Sequence, residues 1–446
     1  MIVMKFGGTS VKDADAIDRA GDIVVDRLEQ NPLVVVSALS GVTSDLLEAA
    51  KLAGNGSLTS ALSIVDRLRE RHSSLHPSLD SEMETLRDSL VSVRENGELT
   101  PRLQDAISSC GEVLSSAIFA NRLRDRCDAV HVDARELIVT DDSFTRANPI
   151  IDETSQRLEE RVRPLLDAGK VVVLGGYISR TQAGVTTTLG RGASDYSASL
   201  IGACLGSKEI QIWTDVDGMM TADPRIVSDA WKIKRLSFDE ASELAYFGAK
   251  VLHPASLLPA IRKGIPVRVL NSLKPERAGT TITREAASGT SAIKSFASKR
   301  GITAITVTSS RMLMAHGFLR ALFTVFDKHR TSVDVVSTSE VSVSLTTDDD
   351  QSLDEIVGDL RELGEVSIER DMALVCMVGT NLKDTPGIAA QAFSCLRDIN
   401  IRMISQGASN INLSFVVEGD RADIVLRRLH EKFFQKFESD IFERVG

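Results

Sequence analysis

Two short runs, VVVSAL (34–39) and VVVLGGYIS (171–179), are apolar at nearly every position, β-branched, and bounded by turn residues. A strand with one wet face alternates apolar and polar side chains, whereas a strand without alternation is buried on both faces. The surrounding chain supplies helices to cover it. Ile17, Ala20, Ile23, Val24 and Leu28 recur at helical spacing, as do Leu103, Ala106, Ile107, Cys110, Val113, Leu114 and Ala117. The pattern predicts an α/β domain with a parallel sheet covered on both faces. Such sheets bind ligands beyond the carboxyl ends of their strands. Three glycine- or serine-bearing turns follow strands here, KFGGTS (5–10), SALSGVTS (37–44) and WTDVDG (213–218), and are expected to converge on one crevice.

With 446 residues the chain has room for about three domains. Its net charge of −10 implies no broad basic surface, which argues against nucleic-acid and anionic-membrane partners. Five scattered cysteines (Cys110, Cys127, Cys204, Cys376, Cys395) form no C-x-x-C pair. That fits reduced thiols better than a disulfide framework or a zinc site. No apolar run has membrane-span length and the N-terminus lacks a signal-peptide layout, so a cytoplasmic location is expected.

Composition changes near 272–300, where SLKPERAGTTITREAASGTSAIKS reads as a loop or connector. Beyond it lies a weak internal repeat. GFLRALFTVFDKHRTSVDVVSTSEVSVSL (317–345) matches GIAAQAFSCLRDINIRMISQGASNINLSF (387–415), with Gly317 on Gly387, Phe323 on Phe393, and Val335 and Val336 on Met403 and Ile404. Each copy reads as helix, strand, turn and alternating strand, and each follows an apolar strand, ITAITVTS (302–309) or MALVCMVG (372–379). Two small α+β units in tandem follow.

No P-loop pattern and no protein-kinase motif set occurs, so any phosphoryl transfer uses another scaffold. Lys5 beside Gly7 and Gly8 is either a phosphate cradle or a plain strand-to-helix turn. In GRGASD (190–195), Arg191 offers a planar fork for a carboxylate, and Ser194 or Asp195 could cap the following helix. An Arg–Asp pair in a surface turn is the alternative. Glu112 lies on an otherwise apolar helix face, where a carboxylate needs a cationic partner such as a substrate ammonium. Asp217 and Asp223 read as turn acids rather than metal ligands, and His253 before Pro254 reads as structural.

Taken in order, KFGGTSV, SGVTS, the GE-bearing helix, GRGASD, WTDVDG…DPR and FGAKVLHP resemble the amino-acid-kinase family, and within it the aspartate kinases. The likeness spans the whole chain and is nearest the single-function, lysine-sensitive type. It implies a three-layer αβα sandwich with a mainly parallel sheet, followed by two ferredoxin-like α+β ACT domains. The implied partition is 1–285 catalytic, 300–370 the first ACT unit and 371–446 the second, with strand 302–309 able to pack with the second.

The resemblance implies transfer of the γ-phosphoryl of MgATP to the β-carboxylate of L-aspartate. Lys5 and Asp195 would be catalytic. Ser37, Thr43, Glu112, Arg191 and Ser194 would hold aspartate. Lys5, Gly7, Gly8, Thr214, Asp215, Met220, Arg225, Lys250 and Val251 would hold the nucleotide, with Gly7 and Gly8 donating backbone N–H bonds to its phosphates. Mg²⁺ would be held mainly by phosphates and water, with no protein metal site. L-Lysine is the implied effector, at Met312, Phe318, Leu319, Val333, Asp334, Ser339 and Glu340, in a homodimer or dimer of dimers joined through ACT domains. Another acceptor amino acid and a catalytically silent amino-acid sensor are the alternatives. Two departures from the family pattern stand out. Ala193 replaces a glycine, which costs of order 1 kcal/mol if that position needs φ > 0. Met220 replaces a tyrosine, exchanging ring stacking for a thioether contact.

Overall fold

Lys5 and Phe6 are neighbours on the first strand, so their side chains point to opposite faces of the sheet. Phe6 stacks on Phe119, with ring centroids 5.7 Å apart, while Lys5 reaches Asp195. Phe119 and Asp195 sit on different helices, and one central layer therefore lies between two helical layers. The structure, a computed structural model, describes residues 1–446 except 77–78, 191, 249–251, 286–291, 313–315 and 445–446. The chain forms two units, Met1–Met219 with Lys234–Phe238 and Val251–Ala286, and Met220–Ile233 with Asp239–Lys250 and Ala287–Gly446.

The first unit holds strands β1 (Ile2–Phe6), β2 (Pro32–Val36), β3 (Ala129–His131), β4 (Val171–Gly175), β5 (Ile178–Thr181), β6 (Thr186–Thr188), β7 (Ile210–Thr214), β8 (Arg235–Ser237), β9 (Val267–Asn271) and β10 (Thr280–Thr283). Eight of them make one sheet in the order β8-β10-β9-β7-β1-β2-β4-β3. All neighbours are parallel except β9 and β10. Its principal helices are α1 (Ala14–Val25), α2 (Pro101–Arg124) and α3 (Ala193–Leu205). β1, β2 and β4 are buried along their whole length, as unbroken apolar runs require.

Part of the segment read as a connector is sheet. The β-branched TTIT of β10 pairs with β9, and Gly279 enters it at φ 66°, where a Cβ would lie 2.0 Å from the Val269 carbonyl oxygen. Composition masked this strand because glycine, proline and alanine surround it.

The second unit is built on β11 (Ile293–Thr308) and β14 (Glu365–Gly379), two long antiparallel strands. With β12 (Val336–Thr338), β13 (Ser342–Thr347), β15 (Met403–Gln406) and β16 (Asn412–Glu418) they form a sheet ordered β12-β13-β11-β14-β16-β15. The helices are α4 (Phe238–Tyr246), α5 (Phe318–Lys328), α6 (Leu353–Leu360), α7 (Ile388–Ser394) and α8 (Ala422–Phe433). The repeat is visible in the backbone. Gly317 and Gly387 open α5 and α7 at φ 87° and 75°, a left-handed entry that favours glycine at both matched positions.

The strand pairing differs from expectation in one respect. Residues 303–308 pair with β13 and, on the other side, 304–308 pair with 365–369, all within the first repeat. It is 293–300 that runs beside 373–379 and so enters the sheet of the second repeat. One continuous strand serves both repeats, with register shifts between Arg300 and Ala304 where it passes from one to the other.

Candidate active site

β1, β2 and β7 end together, and their carboxyl ends place the first functional side chains. Gly8 follows β1 and packs on the turn after β2, where a Cβ would meet the Ala38 carbonyl oxygen at 2.9 Å. Ser10 and Ser272 share a hydroxyl hydrogen bond of 2.8 Å, and the Ser272 N–H donates to the Thr214 carbonyl at 2.8 Å. The Gly7 N–H donates to the Trp213 carbonyl at 3.0 Å. That last bond corrects the donor role expected of Gly7. The parallel ladder of β1 and β7 runs one residue further than the strand, so this N–H is already engaged.

Lys5 is 8% exposed, and its Nζ lies 2.7 Å from Asp195 Oδ1. The contact is an ion pair rather than an aligned hydrogen bond. Asp195 stands in the first turn of α3, where the helix dipole favours a carboxylate. The loop before it turns through Gly190 at φ 84° and Gly192 at φ 70°. Gly192 has no room for a side chain, since a Cβ would lie 2.4 Å from the His253 Cβ. Ala193 is the first residue of α3. The left-handed backbone thus falls on Gly190 and Gly192, and the alanine carries no φ > 0 cost. Ser194 is half-buried against Gly176, where a Cβ would approach its own at 2.7 Å.

Glu112 is 3% exposed on α2. Burial pushes its carboxyl up to about 8, against the pull of the Ala38 N–H and of Lys5. Its Oε2 has no hydrogen-bond partner among the described residues. A buried carboxyl with an unpartnered oxygen is costly unless a cation joins it. Ser37, half-buried, gives its N–H to the Phe6 carbonyl at 3.1 Å, and Thr43 is half-buried in the helix that follows.

Thr214 and Asp215 stand at the end of β7, linked by a 3.2 Å hydroxyl–carboxylate bond. Asp217 is tied to Asn271 at 2.6 Å and to Arg277 at 2.8 Å, as a turn acid. Met220 and Arg225 belong to the second unit. The Met220 carbonyl accepts the Ser295 hydroxyl at 2.7 Å, and the exposed Arg225 forms a fork with Asp223 at 2.6 Å. Arg191, Lys250 and Val251 lie outside the described residues.

In the second unit, Met312, Phe318 and Val333 pack against the core of the first repeat, and Leu319 is exposed. Ser339 closes a turn on Ser342, with Glu340 exposed beside it. Asp334 is different. Its Oδ1 receives the Lys299 ammonium at 3.0 Å and the Tyr246 hydroxyl at 2.6 Å, while its Oδ2 has no partner among the described residues. Lys299 also pairs with Asp348 at 2.7 Å.

Comparison with known proteins bears on the whole chain. Residues 1–271 match the model of the amino acid kinase family, and residues 375–433 match an ACT domain. The lysine-sensitive aspartokinase 3 of Escherichia coli is 38% identical over 455 residues, covering 98% of this chain and 99% of that protein. The chain belongs to the amino acid kinase family, among the aspartokinases. The chloroplastic aspartokinase 1 of Arabidopsis thaliana is 39% identical over 97% of this chain and 80% of its own length. The crystal structure of E. coli aspartokinase III with aspartate and ADP superposes with a TM-score of 0.87 at 37% identity, covering 98% of this chain and 100% of that one. Its lysine- and aspartate-bound form gives 0.81 over the same coverage.

Two residues beside this site escaped the sequence reading. Tyr177 adopts φ 65°, gives its N–H to Ser197 Oγ at 3.0 Å and shares a 3.2 Å hydroxyl bond with Ser108. Asp105 is fully buried on α2, two turns before Glu112. Asp105 resembles any acid in the first turns of a helix, and Tyr177 looked like ordinary strand.

Proposed function

We propose that this aspartokinase transfers the γ-phosphoryl group of MgATP to the β-carboxylate of L-aspartate, giving 4-phospho-L-aspartate, the first step toward lysine, threonine and methionine. The observation that carries the reading is the buried pair of Lys5 and Asp195 at the end of β1, in the same unit as a buried Glu112 whose Oε2 has no hydrogen-bond partner among the described residues. A β-carboxylate oxygen attacks the γ-phosphorus, and the O–P bond to it forms as the bond from that phosphorus to ADP breaks. No base is required, because the acceptor is ionised at neutral pH. Lys5 supplies positive charge where the transferring group gathers negative charge, and Asp195 orients it. Glu112 receives the α-ammonium of aspartate and Arg191 its α-carboxylate, with Ser37, Thr43 and Ser194 completing the pocket. Thr214, Asp215 and Val251 hold the nucleotide with Gly7 and Gly8, which let the chain turn closely past the phosphates. Mg²⁺ arrives with ATP as part of the substrate. Phosphate oxygens and water hold that ion in this reading.

In this reading 1–285 is catalytic, and the part of the second unit from 293 onward is regulatory, with 300–370 and 371–446 the two ACT repeats and 293–300 joining the latter. L-Lysine is the effector, with Asp334 taking an ammonium and Met312, Phe318, Leu319, Val333, Ser339 and Glu340 around it. The exposed Leu319, Phe323, Val336, Val341 and Ile404 of that unit support pairing of two copies through it, as a dimer or a dimer of dimers. Five unpaired cysteines support a reducing compartment, the cytoplasm. The test is acyl-phosphate formation from MgATP and L-aspartate, trapped as the hydroxamate, with and without L-lysine. Turnover that lysine suppresses is the expected result. Turnover with N-acetylaspartate but not aspartate would overturn the role of Glu112, and no turnover with either would overturn the reaction.

A further inference from the structure

Helix α2 carries two buried carboxyls on one face, Asp105 and Glu112, with Ser108 between them. The pair is unlike in its surroundings. Glu112 keeps an unpartnered oxygen, whereas Asp105 is saturated. Asp105 Oδ2 accepts the Thr145 N–H at 2.8 Å and the Thr188 N–H at 3.1 Å, and Oδ1 accepts the Thr188 hydroxyl at 2.6 Å. Burial raises its pKa and these three donors pull it back. A hydrophobic side chain would fill such a place at less cost, so the carboxyl is there for what it holds.

It holds the segment that leads to the reacting groups. Thr188 ends β6, and Gly190, Gly192, Ser194 and Asp195 follow within seven residues. The two glycines give this segment no stiffness of its own. Its near end is fastened to α2 by Thr188, and to its neighbours by bonds from the Leu189 N–H to the Tyr177 carbonyl, 3.0 Å, and from the Ala147 N–H to the Thr188 carbonyl, 2.9 Å. Thr145, whose N–H Asp105 also takes, sits at φ 72° with its carbonyl against Gly190. The far end is fastened through Ser197 to Tyr177, and Tyr177 returns to α2 at Ser108.

We propose that Asp105 is a positioning residue for the phosphoryl acceptor, fixing the 188–195 segment to the helix that carries Glu112 so that the groups at both ends of the amino acid keep one spacing. The inference rests on the acceptor pocket proposed above. It predicts that loosening this tether harms binding and selection of the amino acid and leaves the nucleotide untouched.

The test is steady-state kinetics of the full chain with Asp105→Asn and Thr188→Val, beside thermal unfolding of each. Asp105→Asn should raise the aspartate KM on the order of ten- to a hundredfold, the scale of a small misplacement in an active site, with the MgATP KM within about twofold of the parent. Thr188→Val removes only the hydroxyl bond, and a rise of about threefold is expected, with the preference for aspartate over glutamate reduced in both variants. An unchanged aspartate KM in Thr188→Val and Asp105→Asn would overturn the proposal. A parallel rise of both KM values that tracks lost stability would overturn it too, because that is a structural role alone. If the parent enzyme turns over no aspartate, the acceptor reading itself has failed, and the two failures stay distinct.

Discussion

Glu112 and Asp334 are both carboxyls with one oxygen that no described group satisfies, and each sits at the centre of one unit's proposed chemistry. They differ in what holds the other oxygen. Among the described residues, Glu112 is drawn on by the Ala38 N–H and its own backbone, with Lys5 as a more distant charge. Asp334 already has a cation, the ammonium of Lys299, and a tyrosine hydroxyl. On the proposed function, the first site gains an ion pair when its ligand arrives, and the second exchanges one ammonium for another. A substrate site of the first kind recovers the cost of a buried carboxyl upon binding, whereas a site of the second kind responds only when the ligand is abundant enough to displace the internal amine. That contrast suits a catalyst and a concentration sensor on one chain.

The hardest test of that separation is Lys5→Ala. Removing the ammonium that faces the developing charge should lower kcat on the order of a hundred- to a thousandfold. Calorimetric L-lysine binding should be unchanged, because the Asp334 cluster belongs to the other unit. Loss of lysine binding in this variant would break the comparison.

Glu112→Gln comes next. The amide keeps the shape but cannot pair with an ammonium, so the aspartate KM should rise on the order of ten- to a hundredfold with little change for MgATP. The same residue fixes a pH signature. Its carboxyl titrates near 8 in the free protein, above its ordinary 4.5. Between those values the folded chain keeps a proton that the unfolded chain has released, so this group's contribution to stability falls as pH rises through the window. An arriving ammonium favours the ionised form. Aspartate binding near pH 7 should therefore release up to about one proton, read from binding heats in buffers of different ionisation enthalpy. The release should vanish in Glu112→Gln, and its persistence there would assign it to another group.

These groups were not equally legible beforehand. The central sheet was readable because unbroken valine runs admit only a strand buried on both faces, and Glu112 because a charge on an apolar helix face demands a partner. Asp334 entered through family resemblance alone. Asp105 and Lys299 were silent, since their meaning lies in partners 83 and 35 positions away, which no local pattern encodes. The strand at 280–283 was hidden by its small-residue neighbours, and the two C-terminal repeats were legible as copies but not as sharers of one strand. Repetition reveals which segments are alike. It does not reveal which edges meet.

The smallest expected effect is the most specific to the second site. Lys299 lies between Asp334 and Asp348, and although burial works against its charge, the two carboxylates together raise its pKa above the ordinary lysine value. Replacing it with alanine leaves two carboxylates facing each other without their cation, and the pocket becomes a better host for an ammonium from outside. The Lys299 side chain is 20% exposed and its second partner Asp348 is exposed, so water screens the cluster although Asp334 is buried, and a contribution of about 1 kcal/mol corresponds to about a fivefold change in a binding constant. Lys299→Ala should therefore lower the lysine concentration that half-inhibits turnover by up to about fivefold, with kcat and both KM values unchanged in its absence. Raising the salt concentration should shrink the difference between parent and variant, because screening weakens the internal pair that sets it. A variant that becomes less sensitive to lysine would mean that Lys299 helps to build the effector pocket instead of filling it, and the two carboxyls would then be alike after all.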